Sequence, residues 1–546
     1  MRVFAALVFV VCAQAQTQLR SLKGVPVPEP PNLGDYVRDK KALVALGKMF
    51  FWDMQVGSDG VTACATCHFH AGADHRPQNM LADTKAGFPL NAELSSLQFP
   101  FRVFADMLNK DSAVLRDSSA RVGSAGTVRR MFEAIVPGQA AEIGRDMKDK
   151  PEFIQGDRMV RRVTTRNTPS VFNTAYYERG FWDGRAARRF NGFTVTGRDE
   201  DAPGVLVSVD GGLRREPVRM DFASLASQGV GPALDHLEMS YEGRTWPMLA
   251  RKLFSLKPLG AQRVAVTDSV LGEMAAESKG LIESVTYRSM IEKAFHPRFW
   301  EVPAAEDGEF SQAEHNFSLF WGLALQAYQS TLNSDDSPFD RFMDGDRNAM
   351  SALAQQGMQV FQRGNNCTEC HNGAEISAAA FNVGGGTRGH AFDRTGVRAQ
   401  AEDEGAGNAN FKSISLRNIE FTGPYFHNGG TATLDQAVAF YRRRGDFSPV
   451  ANDVNRINMT DAEAVAVVEF MKSLSDDRVK YERAPFDHPE LCVPVGHEDG
   501  PEAKDRLRLV PAVGAAGNSA PLRTFEELLA GVTDKVHSLT EACVAQ

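Results

Sequence analysis

The sequence carries the pattern Cys-x-x-Cys-His twice, as "CATCH" at Cys64, Cys67 and His68 and as "CTECH" at Cys367, Cys370 and His371. In each copy two thiols lie one helical turn apart, with an imidazole directly behind the second. This is the arrangement that attaches c-type haem: the thiols add to the two vinyl groups, and the histidine takes the iron. A structural zinc site would need four ligands closing one small centre. A thioredoxin-like pair needs neither the histidine nor a second copy. With 12 histidines among 546 residues, one would follow both pairs by chance about once in two thousand such sequences. Two covalent cofactors far apart in the chain require two separate pockets, and the fold must be built around them.

The length allows more than one core, and two or more domains are expected. Composition is that of an ordinary globular protein, 43% apolar and 24% charged, with a net charge of -9. No basic run is available to displace counterions from phosphates, so nucleic acid is not an expected partner. The opening "MRVFAALVFVVCAQAQTQ" has Arg2, an apolar stretch from Val3 to Val11, and the small-x-small site Ala13-Gln14-Ala15. It reads as a secretory signal peptide over residues 1–15, too short for a permanent membrane span. A periplasmic location without a membrane anchor follows, and it agrees with covalent haem attachment outside the cytoplasm. Cys12 leaves with the signal, four cysteines belong to the motifs, and Cys492 and Cys543 remain. In an oxidising compartment these two are expected to pair, with two free buried thiols as the alternative.

Helical spacing covers "DKKALVALGKMFFWD", "QAEHNFSLFWGLALQAYQSTL", "NAMSALAQQGMQVFQRG" and "TDAEAVAVVEFMKSLSD", the last opened by Thr460 as N-cap. "SAGTVRRMFEAIV" and "TDSVLGEMAAESKGLIESV" are also expected to be helical. Residues 197–217 read as a loop with a short hairpin at "VLVSVDGG". Pro-rich residues 16–35 read as an extended lead-in. Strand signals are few, so the expected class is mainly α. A similar helix precedes each motif, which suggests two related cytochrome c-like units. The expected divisions are residues 16–335, with insertions, around the first motif, 336–485 around the second, and a tail over 486–546.

Four blocks, in order, resemble the bacterial dihaem cytochrome c peroxidase and MauG family. They are "RNTPSVFNTAYYERGFWDGRA" (166–186), "SLASQGVGPALDHLEMSY" (224–241), "NNCTECH", and "SLRNIEFTGPYFHNGGTATLDQAVAFY" (415–441). The resemblance implies two haem domains with calcium at their interface. It makes His68 the proximal ligand of a peroxide-binding haem, and Glu238 the distal carboxylate that moves the proton between the peroxide oxygens. Gln228 is then its neighbour, and Trp182 an oxidisable ring between the haems. Asn167, Thr422 and Pro424 fall at the calcium positions and offer hard oxygens. His371 is the proximal ligand of the second haem, and Tyr441 falls where the sixth ligand is placed. Conventional members have methionine there. A tyrosine, as in the MauG branch, supplies a hard anionic oxygen that lowers the potential. Met459 and Met471 are the alternative ligands.

The chain departs from compact members by long insertions between His68 and Asn167 and between Arg185 and Gln228. The loop histidine that closes the peroxidatic haem in resting conventional enzymes has no assigned counterpart, with His70, His75 and His236 as unassigned candidates. The resemblance therefore implies a MauG-like oxidoreductase reacting with hydrogen peroxide without prior half-reduction, through a high-valent two-haem state. Its reductant would be a small redox protein or a protein substrate, and its state a monomer or a homodimer. The alternatives are a conventional cytochrome c peroxidase, a dihaem oxygenase, or simple electron transfer.

Overall fold

The structure is a computed structural model describing residues 18–77, 93–303, 309–365, 367–381, 390–447, 454, 457–537 and 543. The expected signal peptide lies outside these residues.

The helix Lys40–Trp52 starts where Asp39 accepts the Ala42 amide on its side chain, and it is apolar on almost every face. Such a helix must be covered all round. The equally apolar helix Phe317–Gln329 lies along it. The contact is close enough that a Cβ on Gly47 would overlap the Ala324 carbonyl. The same device recurs before the second motif. The helix Ala352–Gln362 packs on Asp461–Lys472, where a Cβ on Gly357 would overlap the Ala466 carbonyl. Asp461–Lys472 begins at the expected cap: Thr460 Oγ1 accepts the Glu463 amide, and Glu463 answers on the Thr460 N–H.

Two large apolar cores result. One gathers Leu43, Leu46, Phe50, Tyr287, Phe320 and Trp321, the other Phe339, Phe361, Leu434, Val467 and Phe470. The C-terminal residues join the first core: the antiparallel ribbon Leu491–His497 with Asp505–Val510 buries Leu491, Val493, Val495 and Val510 there. Asp487 from the same stretch and Asp268 hold the fully buried Lys48 ammonium at 3.4 and 2.8 Å. Cys492 and Cys543 form the expected disulfide.

The fold is richer in strand than a mainly α reading allows, with 29% helix and 15% strand. Six two-stranded antiparallel ribbons occur among the described residues. The hairpin in "VLVSVDGG" is present: Val205–Val209 pairs with Gly212–Glu216 across Asp210 and Gly211, both at positive φ, as a two-residue hairpin turn requires.

Two helical expectations fail. In "SAGTVRRMFEAIV", Arg130–Ala134 is a strand paired with Ile143–Asp146. The following Pro137 and Gly138, the latter at φ +79°, make a tight turn closed by the Gln139 amide on the Val136 carbonyl, which returns the chain as a partner strand. "TDSVLGEMAAESKGLIESV" contains only the single turn Gly272–Met274. There Asp268, pinned by Lys48, takes the Val270 and Leu271 amides on its side chain and sets a turn instead of a helix.

Candidate functional site

The first motif enters as the short helix Ala65–His68. His68 Nδ1 donates to the Gly72 carbonyl at 2.8 Å, which leaves Nε2 as the free lone pair. Gly72 has φ +74°, and a Cβ there would press on Phe172 and Ser170, so a glycine is required at this point. Ser170 and Val171, from the block "RNTPSVFN", clamp this turn through the Ala71 and Gly72 carbonyls.

The second motif opens onto a cavity of about 200 Å³. Cys367, Cys370 and His371 line it together with Tyr441, Met459, Met471, Trp182, Gln228, Asn167, Thr422 and Pro424. Residues from 167 to 471 are thus brought to one space. Tyr441 is held by the last turn of the helix Leu434–Arg442. Its phenol is pushed well up, by burial first and then by Cys370, Cys367 and Asp393. Both Met459 and Met471 share the lining, so the cavity holds all three candidate sixth ligands.

Trp182 is buried, and its indole N–H donates to the Asn167 carbonyl at 2.8 Å. Its loop is fixed on both sides. Gln228 Oε1 accepts the amide of Phe181, itself at φ +61°, at 3.1 Å. Arg166 bridges Asp183 at 2.8 Å and Asp403 at 2.6 Å. The Asn167 amide reaches the Pro424 carbonyl at 2.5 Å and the Phe426 carbonyl at 3.3 Å. Thr422 stands one turn earlier, hydrogen-bonded to Ile419.

Glu238 is half-buried, and it does not line the second-motif cavity. Its charge instead acts on Cys64 and Cys67, which places it with the first motif. Burial, with Asp235 adding, raises its carboxyl to about 7, against the opposing pull of Arg185. His236 is exposed. His70 and His75 are buried with His537 rather than directed to the cavity around Gln228.

Two further residues, His427 and Lys412, line this cavity. His427 stacks on Phe411 with ring centroids 3.6 Å apart, and burial lowers it to about 3. Its position within "GPYFHNGG" was the available signal. Lys412 is buried over the Tyr177 ring at 4.1 Å, donates to the Arg179 carbonyl, and is lowered by burial to about 7. A single lysine before a serine gave no such signal.

The residues fit two c-type haems. The motif cysteines are all free of disulfides. Burial raises the Cys64, Cys67 and Cys367 thiols to about 12. Among the described residues, no metal-ligand cluster joins the two cysteine pairs. The apolar lining of the cavity, with Phe361, Leu434, Val438 and Val467, suits a porphyrin.

A profile of the di-haem cytochrome c peroxidase family matches residues 41–348, and the chain belongs to that family. Membership implies two haem c groups. Among curated relatives, a cytochrome-c peroxidase, IdrP1, of Denitromonas iodatirespirans is 35% identical over 182 residues, 28% of this chain and 48% of the relative. The methylamine utilization protein MauG of Methylorubrum extorquens is 30% identical over 169 residues, 31% of this chain and 46% of the relative. The chain thus spans about half the length of these relatives. A solved MauG-like protein associated with microbial copper homeostasis aligns with a TM-score of 0.47 at 16% identity, over 85% of this chain and 96% of that one. No helix among the described residues is long and apolar enough to cross a membrane.

Proposed function

We propose that the chain is a periplasmic dihaem oxidoreductase of the MauG-like kind, reacting with hydrogen peroxide at the site of Cys64, Cys67 and His68. The supporting observation is that Trp182, Tyr441 and the second motif share one cavity while Glu238 lies with the first. Bound haem supplies the redox chemistry, peroxide reduction at one iron and storage of oxidising equivalents at the other.

The chain's own groups then have distinct tasks. The Gly72 carbonyl fixes the His68 tautomer and ring direction. Glu238, raised to about 7, can take a proton from one peroxide oxygen and return it to the other near neutral pH. Gln228 positions the Trp182 loop through Phe181, and the Asn167 carbonyl holds the indole as the path between the two sites. Burial raises the half-buried Tyr441 phenol, so binding as phenolate would call for a strongly Lewis-acidic partner, as a ferric ion is. Calcium completes the reading. Asn167, Thr422 and Pro424 line one cavity and would offer the ion an amide oxygen and backbone carbonyls.

Met459 and Met471 on the same lining favour the second reading, a conventional cytochrome c peroxidase fed by a small redox protein. A low-temperature EPR spectrum of the diferric protein tests the choice of catalyst over carrier. One high-spin and one low-spin signal are expected, and two low-spin signals inert to peroxide would leave electron transfer alone.

A further inference from the structure

Behind the first motif, four histidines and two carboxylates are buried together: His70, His75, His488, His537, Glu482 and Asp534. His70 and His75 follow His68 in the chain, whereas His537 arrives from the C-terminal segment. One ring nitrogen from each of His70, His75 and His537 can be chosen so that all three lie within 4.8 Å of one another. His70 Nδ1 and His537 Nδ1 are 3.3 Å apart. Two ligands on one tetrahedral ion, with metal–nitrogen bonds of about 2.0–2.1 Å, stand at roughly that separation.

Hydrogen bonding alone leaves this cluster incomplete, although buried polar atoms ordinarily find partners. His70 Nε2 and His75 Nδ1 have none, and the nearest carboxylate oxygen to His75 Nε2, Asp534 Oδ2, is 3.5 Å away. The surrounding carboxylates are arranged as orienting groups. Glu482 Oε1 accepts from His537 Nε2 at 2.8 Å and also meets His488 Nε2 at 3.2 Å. A proton fixed on His537 Nε2 leaves its Nδ1 lone pair directed at the His70 ring, the pattern of carboxylate–histidine–metal sites. Asp534 Oδ1 accepts the Val536 and His537 amides at 2.9 and 3.0 Å and so shapes the turn that delivers His537.

We propose that His70, His75 and His537 hold a divalent transition-metal ion of the zinc or copper kind, with Glu482 and Asp534 orienting His537 and His75. Three imidazoles suit these ions, and two carboxylates balance the charge the ion brings into a buried place. The ion ties the segment behind the first motif to the C-terminal tail, next to the Cys492–Cys543 disulfide. None of the three histidines lines the second-motif cavity.

Elemental analysis of the haem-loaded protein, followed by dialysis of chelator-treated protein against Zn(II) and against Cu(II), tests it. About one zinc or copper per chain, as isolated or after dialysis, is expected. Iron alone in both experiments overturns the proposal. His75→Ala and His537→Ala are expected to lose that metal while the pyridine haemochrome still reports two haem c, and variants retaining it fully overturn the assignment. Should both variants fail to fold, X-ray absorption at the metal edge of the wild-type protein decides. An imidazole-type nitrogen shell supports the site, and a sulfur-dominated or water-only shell overturns it.

Discussion

The Trp182 indole donates to the Asn167 carbonyl at 2.8 Å, so this ring on the second-motif cavity is held by the residue whose amide reaches Pro424. One residue thus couples the Trp182 ring to the place where calcium is proposed. Trp182→Phe removes this hydrogen bond and the most readily oxidised ring. The variant is expected to bind both haems, yet oxidation of the second by peroxide added at the first should slow by at least an order of magnitude. Stopped-flow spectra of the two haem bands would show it, and an unchanged rate would assign Trp182 to the core alone.

Glu238 titrates near 7, raised by burial and Asp235. A group that must first accept a proton works as its carboxylate, so the peroxide step is expected to speed up as pH rises through about 7. The stability linkage runs the other way. With its folded value above its unfolded one, Glu238 favours the folded state at low pH, and that contribution is lost as pH rises through about 7. Glu238→Gln should slow the peroxide reaction by about two to four orders of magnitude and flatten this inflection. A pH–rate profile of both proteins gives the comparison.

Tyr441→Phe keeps the ring in the cavity and removes the oxygen. If Tyr441 is the sixth ligand, the low-spin ferric signal of the second haem should convert to high-spin in EPR. A low-spin signal that persists unchanged would pass the role to Met459 or Met471.

Gly357→Ala puts a methyl group into the Ala466 carbonyl at the helix crossing under the second motif. A cost of about 1–3 kcal/mol is expected, since overpacked contacts must open. Gly34→Ala, at an open position with nothing within 4 Å, is the control and should shift the denaturation midpoint little.

What was legible in the sequence was what local chemistry encodes. Thr460 with Glu463 announces a helix start, Asp210-Gly211 a hairpin, and two cysteines before a histidine a haem. The strand at Met131 and the irregular path after Asp268 were hidden because their causes lie elsewhere in the chain. One is set by the returning strand Ile143–Asp146, the other by Lys48. Within the candidate site, the block resemblances singled out Gln228, Trp182 and Tyr441, but their sharing one cavity is a finding of the structure, and Gln228, expected beside Glu238, lines the cavity that Glu238 does not. His70, His75 and His537 could not be associated from sequence, because their meeting depends on the tail folding back onto the first core.

Mixing the fully ferric protein with hydrogen peroxide, with no reductant present, tests the central claim most directly. A prompt change in the absorption of both haems is expected, since the proposed first site needs no prior opening step. No reaction until one haem has been reduced would contradict the MauG-like account and support the conventional peroxidase.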